Sequence, residues 1–239
     1  MEVKEVFQKI KASSQSIRRF EYRPYSMRKA LKVFYEIGKS MYPDFVIDDD
    51  NIEVFKNLIR WVHACTEKPT EHFITIDPKS GEKVPGDYTK GIYLAGRTGA
   101  GKTAAIDVMK EYAKIDSVQL LMNGSLIAIN PRIYRTDDVC ETYSQTGTIQ
   151  AIKNARFVVF HDIASDSEPE ESVFMGNRLK VMQNIIESRG DKKDLLTFFT
   201  SNVPFVNPIF QERYGDRVVS RMYKMCNYME LKGKDRRLP

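Results

Sequence analysis

Cysteine and histidine are both scarce, with three of each in 239 residues. Cys65, Cys140 and Cys226 stand far apart and share no metal-ligand spacing with histidine, which argues against zinc and for buried free thiols in a reducing compartment. Long apolar runs are missing too. None approaches the roughly 18 residues a membrane span needs, and the first five residues, Met1, Glu2, Val3, Lys4 and Glu5, carry acids instead of the apolar stretch of a signal peptide. Charge of neither sign dominates, since 37 basic against 32 acidic residues leave a formal net charge of +5. That mild excess suits an anionic partner but does not by itself point to nucleic acid. What remains is a soluble, cytoplasmic protein with no membrane partner. At 42% hydrophobic residues, its length fits one α/β domain with a modest extension, or two small domains.

One stretch is rich in what the rest lacks. Residues 91–103 read as a short apolar strand, a glycine-rich loop and the first turn of a helix, and the spacing from Gly96 to Gly101, Lys102 and Thr103 fits G-x-x-x-x-G-K-[ST]. In the loop Gly96, Arg97, Thr98, Gly99, Ala100 and Gly101, glycine lets the backbone turn its N–H groups inward around phosphates. The helix expected over about 103–114 adds its positive N-terminal end. Lys102 then reaches the β- and γ-phosphates while the Thr103 hydroxyl ligates magnesium (Mg²⁺). A surface turn would share the composition, but not the preceding apolar run or the helical pattern of Ala104, Ala105, Ile106, Val108 and Met109.

Taken in order, the chain begins with helical spacing at 3–10 and a segment, 17–25, that interleaves Arg18, Arg19 and Arg23 with aromatics. Such a segment can stack on single-stranded bases, dock on a partner, or pack on its own domain. Ser26 is placed to cap a helix reaching about residue 41, with Met27, Leu31, Phe34, Ile37 and Met41 on its buried face. Asn51 is placed to cap another, with Ile52, Phe55, Ile59, Val62 and Cys65 inward and Trp61 and His63 in structural roles. A loop with a hairpin at Ser80-Gly81 leads to the glycine-rich stretch, and Asn123-Gly124 marks a second hairpin. Then come a strand at 132–135, a helix capped by Thr136 that ends near Gly147, and a strand at 157–160 entering His161-Asp162. A solvated acidic loop at 166–171 precedes a long helix carrying Leu179, Met182 and Ile186. The strand at 195–199 runs into Thr200-Ser201-Asn202, and two helices, a last strand at 228–231 and a basic tail at 232–237 complete the chain. This alternation implies a mostly parallel five-stranded sheet with helices on both faces and a ligand at the strands' C-terminal ends.

Phosphate-loop proteins usually place two acids at the end of a following apolar strand, to hold the metal and orient water. Here that position reads His161-Asp162. Asn202 can offer an uncharged amide to a γ-phosphate or water, although Thr200-Ser201-Asn202 taken alone reads equally well as a turn. Arg217 and Arg221, four apart, share a helix face and can answer transition-state charge.

The phosphate loop, the strand with its acid, the Thr-Ser-Asn triplet and the segment 215–222, which fits G-x-R-x-x-S-R-M, occur in this order in the DnaC/DnaI/IstB group of AAA+ ATPases, and residues 51–237 resemble that group. The resemblance implies an AAA+ P-loop NTPase fold over residues 46–239 without a C-terminal lid domain, preceded by a helical N-terminal adaptor over residues 1–45. It implies ATP and Mg²⁺ as cofactors and slow ATP hydrolysis. Lys102 and Thr103 go to the phosphates and the metal, Asp162 to the acidic strand end beside the metal, and Asn202 to the sensor position. Arg221 becomes the finger reaching a neighbouring subunit's nucleotide, with Arg217 beside it. Implied partners are a replicative DNA helicase, single-stranded DNA, and further copies of the chain through the ATP sites. His161 departs from the pattern, as does the added Asn-Gly hairpin, whereas the missing lid agrees with the loaders of this group. A transposition helper of the IstB type shares the same features, and a nucleotide-binding scaffold with little hydrolysis is favoured by His161. A small-molecule kinase is disfavoured by the segment 215–222.

Overall fold

A computed structural model of the chain describes residues 24–64, 73–122, 125–233 and 235–236. The helical spacing at 3–10, Arg18, Arg19 and Arg23, Cys65 and the Asn123-Gly124 dipeptide lie outside the described residues.

Three apolar runs form the centre of the sheet. Strands β3 (Gly91–Gly96), β7 (Phe157–His161) and β10 (Leu196–Ser201) are buried along nearly their whole length, as parallel strands covered on both faces must be. With β6 (Arg132–Arg135) and β11 (Cys226–Leu231) they make a five-stranded sheet in the order β11-β3-β10-β7-β6, every pairing parallel. Side chains alternate along each strand and divide the core in two. Ile92, Leu94, Val159 and Phe198 face one apolar cluster with α1 (Met27–Met41), α2 (Ile52–His63) and α3 (Lys102–Ile115). Tyr93, Ala95, Val158 and Phe199 face the other, with α4 (Thr136–Thr146), α6 (Val181–Gly190), α7 (Pro208–Tyr214) and α8 (Asp216–Met225). A short α5 (Gln150–Asn154), which the sequence did not announce, lies between α4 and β7.

The buried stripe of α1 is Ala30, Phe34 and Gly38, and Met41 is exposed. The shift has a steric cause. A β-carbon at residue 38 would lie 2.3 Å from the Phe45 ring, so glycine admits the returning chain. Ser26 contributes its carbonyl, not its hydroxyl, to the first turn. Asn51 likewise makes no cap bond with its side chain; it accepts from the Asp48 amide (2.9 Å) and donates to the Val46 carbonyl (3.0 Å), closing the turn before α2. Trp61 and His63 are structural as expected: the indole donates to the Lys90 carbonyl at 3.1 Å and packs edge-on to Phe198, and His63 Nε2 lies 2.8 Å from the Tyr112 hydroxyl.

Both expected hairpins form. β1 (Ile74–Ile76) pairs antiparallel with β2 (Lys83–Pro85), and β4 (Gln119–Met122) with β5 (Ser125–Ala128). A third replaces the start of the expected long helix: β8 (Ser172–Phe174) and β9 (Asn177–Leu179) pair antiparallel, and α6 begins only at Val181. Met175 and Gly176 turn the chain with φ of 47° and 83°, which no helix allows. Cys140 and Cys226 are buried free thiols, and burial pushes Cys140 up to about 11, far from reactivity at neutral pH. No helix among the described residues is long and apolar enough to cross a membrane.

Candidate nucleotide site

The glycine-rich loop joins β3 to α3 at the C-terminal edge of the sheet. Gly99 and Gly101 have φ of 73° and 95°, a backbone region that side-chain-bearing residues rarely enter, so these two positions require glycine. Lys102 is 5% exposed, and its ammonium donates to the Gly96 carbonyl (2.9 Å), the Arg97 carbonyl (2.9 Å) and Asn202 Oδ1 (2.7 Å). Sheet register explains the last bond. Ser201 pairs with Ala95, so residue 202 arrives level with residue 96 at the loop's root. A buried ammonium needs three acceptors, and here it takes two from its own loop and one from the neighbouring strand tip. These oxygens occupy the ammonium in the way phosphate oxygens would. Thr103 is exposed on the first turn of α3.

The end of β7 is held by the Thr-Ser-Asn triplet, which is strand through Ser201 and not an isolated turn. Thr200 Oγ1 accepts from the Asp162 amide (3.2 Å) and lies 3.1 Å from His161 Nδ1. Ser201 donates to the Ile163 carbonyl (2.7 Å), and Thr136 donates across to the Asp162 carbonyl (3.0 Å), which makes it the first residue of α4 and not its cap. Asp162 itself has φ of 60°, a strained backbone that these bonds enforce. Its carboxylate pairs with Arg135 at 3.4 Å, while Arg135 also grips Asp137 at 3.1 Å. His161 is 4% exposed and its Nε2 has no hydrogen-bond partner. Burial lowers its pKa against the opposing pull of the Asp107 and Asp162 carboxylates, so the imidazole is neutral.

Mg²⁺ takes hard oxygen ligands and is commonly held by one or two carboxylates together with substrate phosphates. The exposed Thr103 hydroxyl fits that need, and Asp162 fits once it exchanges Arg135. The orphaned imidazole nitrogen of His161 does not. No direct hydrogen bond joins Asp162 to Thr103, and no group of three or more His, Cys, Asp or Glu among the described residues is placed to hold a metal without a nucleotide.

The structure brings Lys102 and Asn202 together and sets the two arginines apart from them. Arg217 is exposed on α8. Arg221 lies along the end of α6, with Nε donating to the Glu187 carbonyl (3.2 Å) and a two-pronged bond to Asp191 (2.8 and 2.9 Å). Sequence reasoning missed Thr200, Thr136 and Arg135 as the residues that position 161 and 162. The signal for Arg135 was available, since it ends a strand adjacent to β7 as His161 does.

The acidic loop is solvated at Asp166, Glu170 and Glu171 but not at Glu168. The Glu168 carboxylate is buried, accepts from the Tyr214 hydroxyl (2.5 Å) and the Ala164 amide (3.1 Å), and faces Arg213 at 3.6 Å. It folds back onto α7, against the expectation of a solvated loop. Burial outweighs these partners and raises its pKa. A raised carboxyl pKa contributes stability that is full below the unfolded value and lost as pH rises through the folded one. Glu168→Gln should therefore gain stability relative to wild type as pH rises above about 4.5. Thermal melts of both proteins from pH 4 to 7 check this, and a constant or shrinking difference would contradict it.

An all-parallel five-stranded sheet with a glycine-rich loop after β3 and a polar strand tip beside it is a doubly wound α/β arrangement with its crevice at the strands' C-terminal ends. Comparison of folds agrees. The chain matches the crystal structure of the DnaC helicase loader over 84% of its own length and 99% of that chain, at 15% identity and a TM-score of 0.52. It matches a putative primosome component from Streptococcus pyogenes serotype M3 over 79% of its length and 83% of that chain, at 19% identity and a TM-score of 0.50. The AMPPCP-bound DnaA of Aquifex aeolicus aligns at a TM-score of 0.42, which carries no further argument. No protein-family model matches the sequence, and comparison with curated protein sequences finds no match. The five-stranded sheet with helices on both faces expected from the sequence is the fold found, with every pairing parallel.

Proposed function

We propose that the chain is an ATP-binding AAA+ ATPase that recruits a replicative DNA helicase, with ATP and Mg²⁺ at the loop 96–103 and copies of the chain meeting at their nucleotide sites. The observation that supports this reading is the 2.7 Å bond from Lys102 to Asn202, which brings the loop's ammonium and a strand-tip amide to one point of a fold similar to that of the DnaC helicase loader. On nucleotide binding Lys102 exchanges loop carbonyls for phosphate oxygens, and Asn202 is released to the γ-phosphate or the attacking water. Thr103 and Asp162 would hold Mg²⁺ there, and the ion would supply neutralisation of phosphate charge. Arg217, exposed, is free to reach a neighbouring copy, whereas Arg221 must first exchange Asp191. The adaptor role belongs to residues 1–45. α1 fixes the end of that segment against the phosphate-loop helix, with Tyr42 donating to Asp107 at 2.6 Å and Tyr25 to Asp116 at 3.3 Å. Single-stranded DNA binding through Arg18, Arg19 and Arg23 would be weak and salt-dependent, because the basic excess is mild and no base-reading motif accompanies it. The protein acts in the cytoplasm, with its thiols reduced.

A second reading, a nucleotide-binding scaffold with little hydrolysis, is favoured by the partnerless His161 nitrogen and by the Asp162–Arg135 pair. Both keep carboxylate oxygen from the metal and water. His161→Asp supplies the missing oxygen, within reach of the Thr200 hydroxyl, and should raise ATP turnover by about tenfold, roughly 1.4 kcal/mol of barrier, with nucleotide affinity within a few-fold of wild type. Asp162→Asn should remove the turnover that exists. Steady-state phosphate release at saturating Mg²⁺ checks both. A folded His161→Asp protein that turns over no faster would mean that another carboxylate already serves, and the account of His161 would fail.

A further inference from the structure

Beyond β11 the described residues 232, 233, 235 and 236 stay against the domain. The chain bends at Gly233, whose φ is 119°, and crosses the tip of the phosphate loop. The Arg236 amide donates to the Gly99 carbonyl at 3.1 Å. The Asp235 carboxylate lies against the Gly99 α-carbon so closely that a β-carbon there would stand 1.6 Å from Oδ1. Arg236 then reaches past the loop to Asp48, in the turn before α2, with bonds of 2.6 and 3.0 Å that match guanidinium to carboxylate in two parallel contacts. The pair is mostly shielded on the arginine side, at 20% exposure, and Arg236 is the main cause that holds Asp48 below the usual carboxylate range. The tail is therefore tied at three points: to its own strand, to the loop tip, and to the turn at 48–51.

We propose that residues 232, 233, 235 and 236 form a strap that opposes nucleotide binding and is displaced by it, with the Arg236–Asp48 pair as its latch. The inference rests on the reading of residues 96–103 as a phosphate loop. Asp235 brings a negative charge to a loop whose backbone is shaped for anions, so the carboxylate and a triphosphate repel one another and draw on the same loop. The backbone bond to Gly99 makes the coupling mechanical as well, since the loop cannot reshape around phosphates while its tip carries the strap. Release would free the Arg236 guanidinium from Asp48, so nucleotide occupancy would be read at the surface as an exposed cation beside the already exposed Lys232.

The test uses the full-length chain, with fluorescent ATP as the probe and Asp235→Asn and Asp48→Asn as variants. The first removes the competing charge and the second opens the latch. Each should bind the probe at least fivefold more tightly than wild type, the lower end of ordinary coupling between sites. In parallel, brief trypsin digestion read by mass spectrometry should show cleavage after Lys232 and Arg236 accelerated by ATP in the wild-type chain. Wild-type binding that both variants match or fall below, with tail cleavage indifferent to ATP, would overturn the strap while leaving the phosphate loop in place. Absence of binding in all three folded proteins would overturn the phosphate-loop reading and the strap with it.

Discussion

Lys102→Ala is expected to lower ATP affinity by about 100-fold or more. Hydrogen bonds to a charged group contribute roughly 1.5–3 kcal/mol each, and two such bonds to β- and γ-phosphate oxygens exceed the 2.8 kcal/mol or so that a 100-fold change represents. No other side chain of the loop 96–103 offers a comparably placed charge: Arg97 is exposed, whereas the Lys102 ammonium is already held inside the loop by Gly96, Arg97 and Asn202. The substitution leaves those three oxygens to water at an open loop, so the fold should survive. Titration with a fluorescent ATP analogue, with circular dichroism as the control for folding, checks it. An affinity within a few-fold of wild type would remove the phosphate-loop assignment.

The largest effect on stability is expected at Arg189, which takes no part in the site. It is 1% exposed and sits at the edge of the sheet opposite the phosphate loop, where β10 begins and α5 ends. Its guanidinium donates to Thr197 Oγ1 (2.9 Å) and the Leu196 carbonyl (2.8 Å), and to the carbonyls of Ile152 (3.1 Å), Lys153 (3.3 Å) and Ala155 (2.8 Å). The last three lie at the C-terminal end of α5 and its cap residue, where helix carbonyls lack a full set of backbone donors, although Ile152 also accepts from the Ala155 amide at 3.4 Å. Burial lowers the arginine pKa to about 10, which still keeps it charged at neutral pH. Arg189→Ala deletes the donor to five acceptors and opens a cavity, and should destabilise the protein by about 3–5 kcal/mol. Arg189→Met restores the volume without the donors and should recover less than half of that loss. Urea denaturation of the three proteins measures it. A loss below about 1 kcal/mol for Arg189→Ala would show that water can satisfy those carbonyls.

The sheet was legible because its central strands carry their own instruction: Ile92 to Ala95, Phe157 to Phe160 and Leu196 to Phe199 are apolar on both faces, which only a covered parallel sheet uses. The glycine-rich loop was legible because backbone geometry dictates Gly99 and Gly101, and the position of Asn202 beside it because that residue follows a strand. What escaped depends on contacts between distant residues. The spacing of Leu179, Met182 and Ile186 reads as one helix, yet Gly176 turns the chain and the Phe174 ring fills the place of a side chain at Gly147. Glu168 looks like one acid among several, and only the fold of α7 brings Tyr214 and Arg213 to bury it. The tail at 232–237 reads only as a basic run, because nothing local ties Arg236 to an aspartate 188 residues away.

The central claim is that this loop binds ATP, and calorimetric titration of the full-length chain with ATP in the presence of Mg²⁺ tests it most directly. The account predicts saturable binding of one ATP per chain, weakened by Asn202→Ala and lost in Lys102→Ala. A folded wild-type chain that takes up no ATP under these conditions, or that binds it equally well without the Lys102 ammonium, would contradict it.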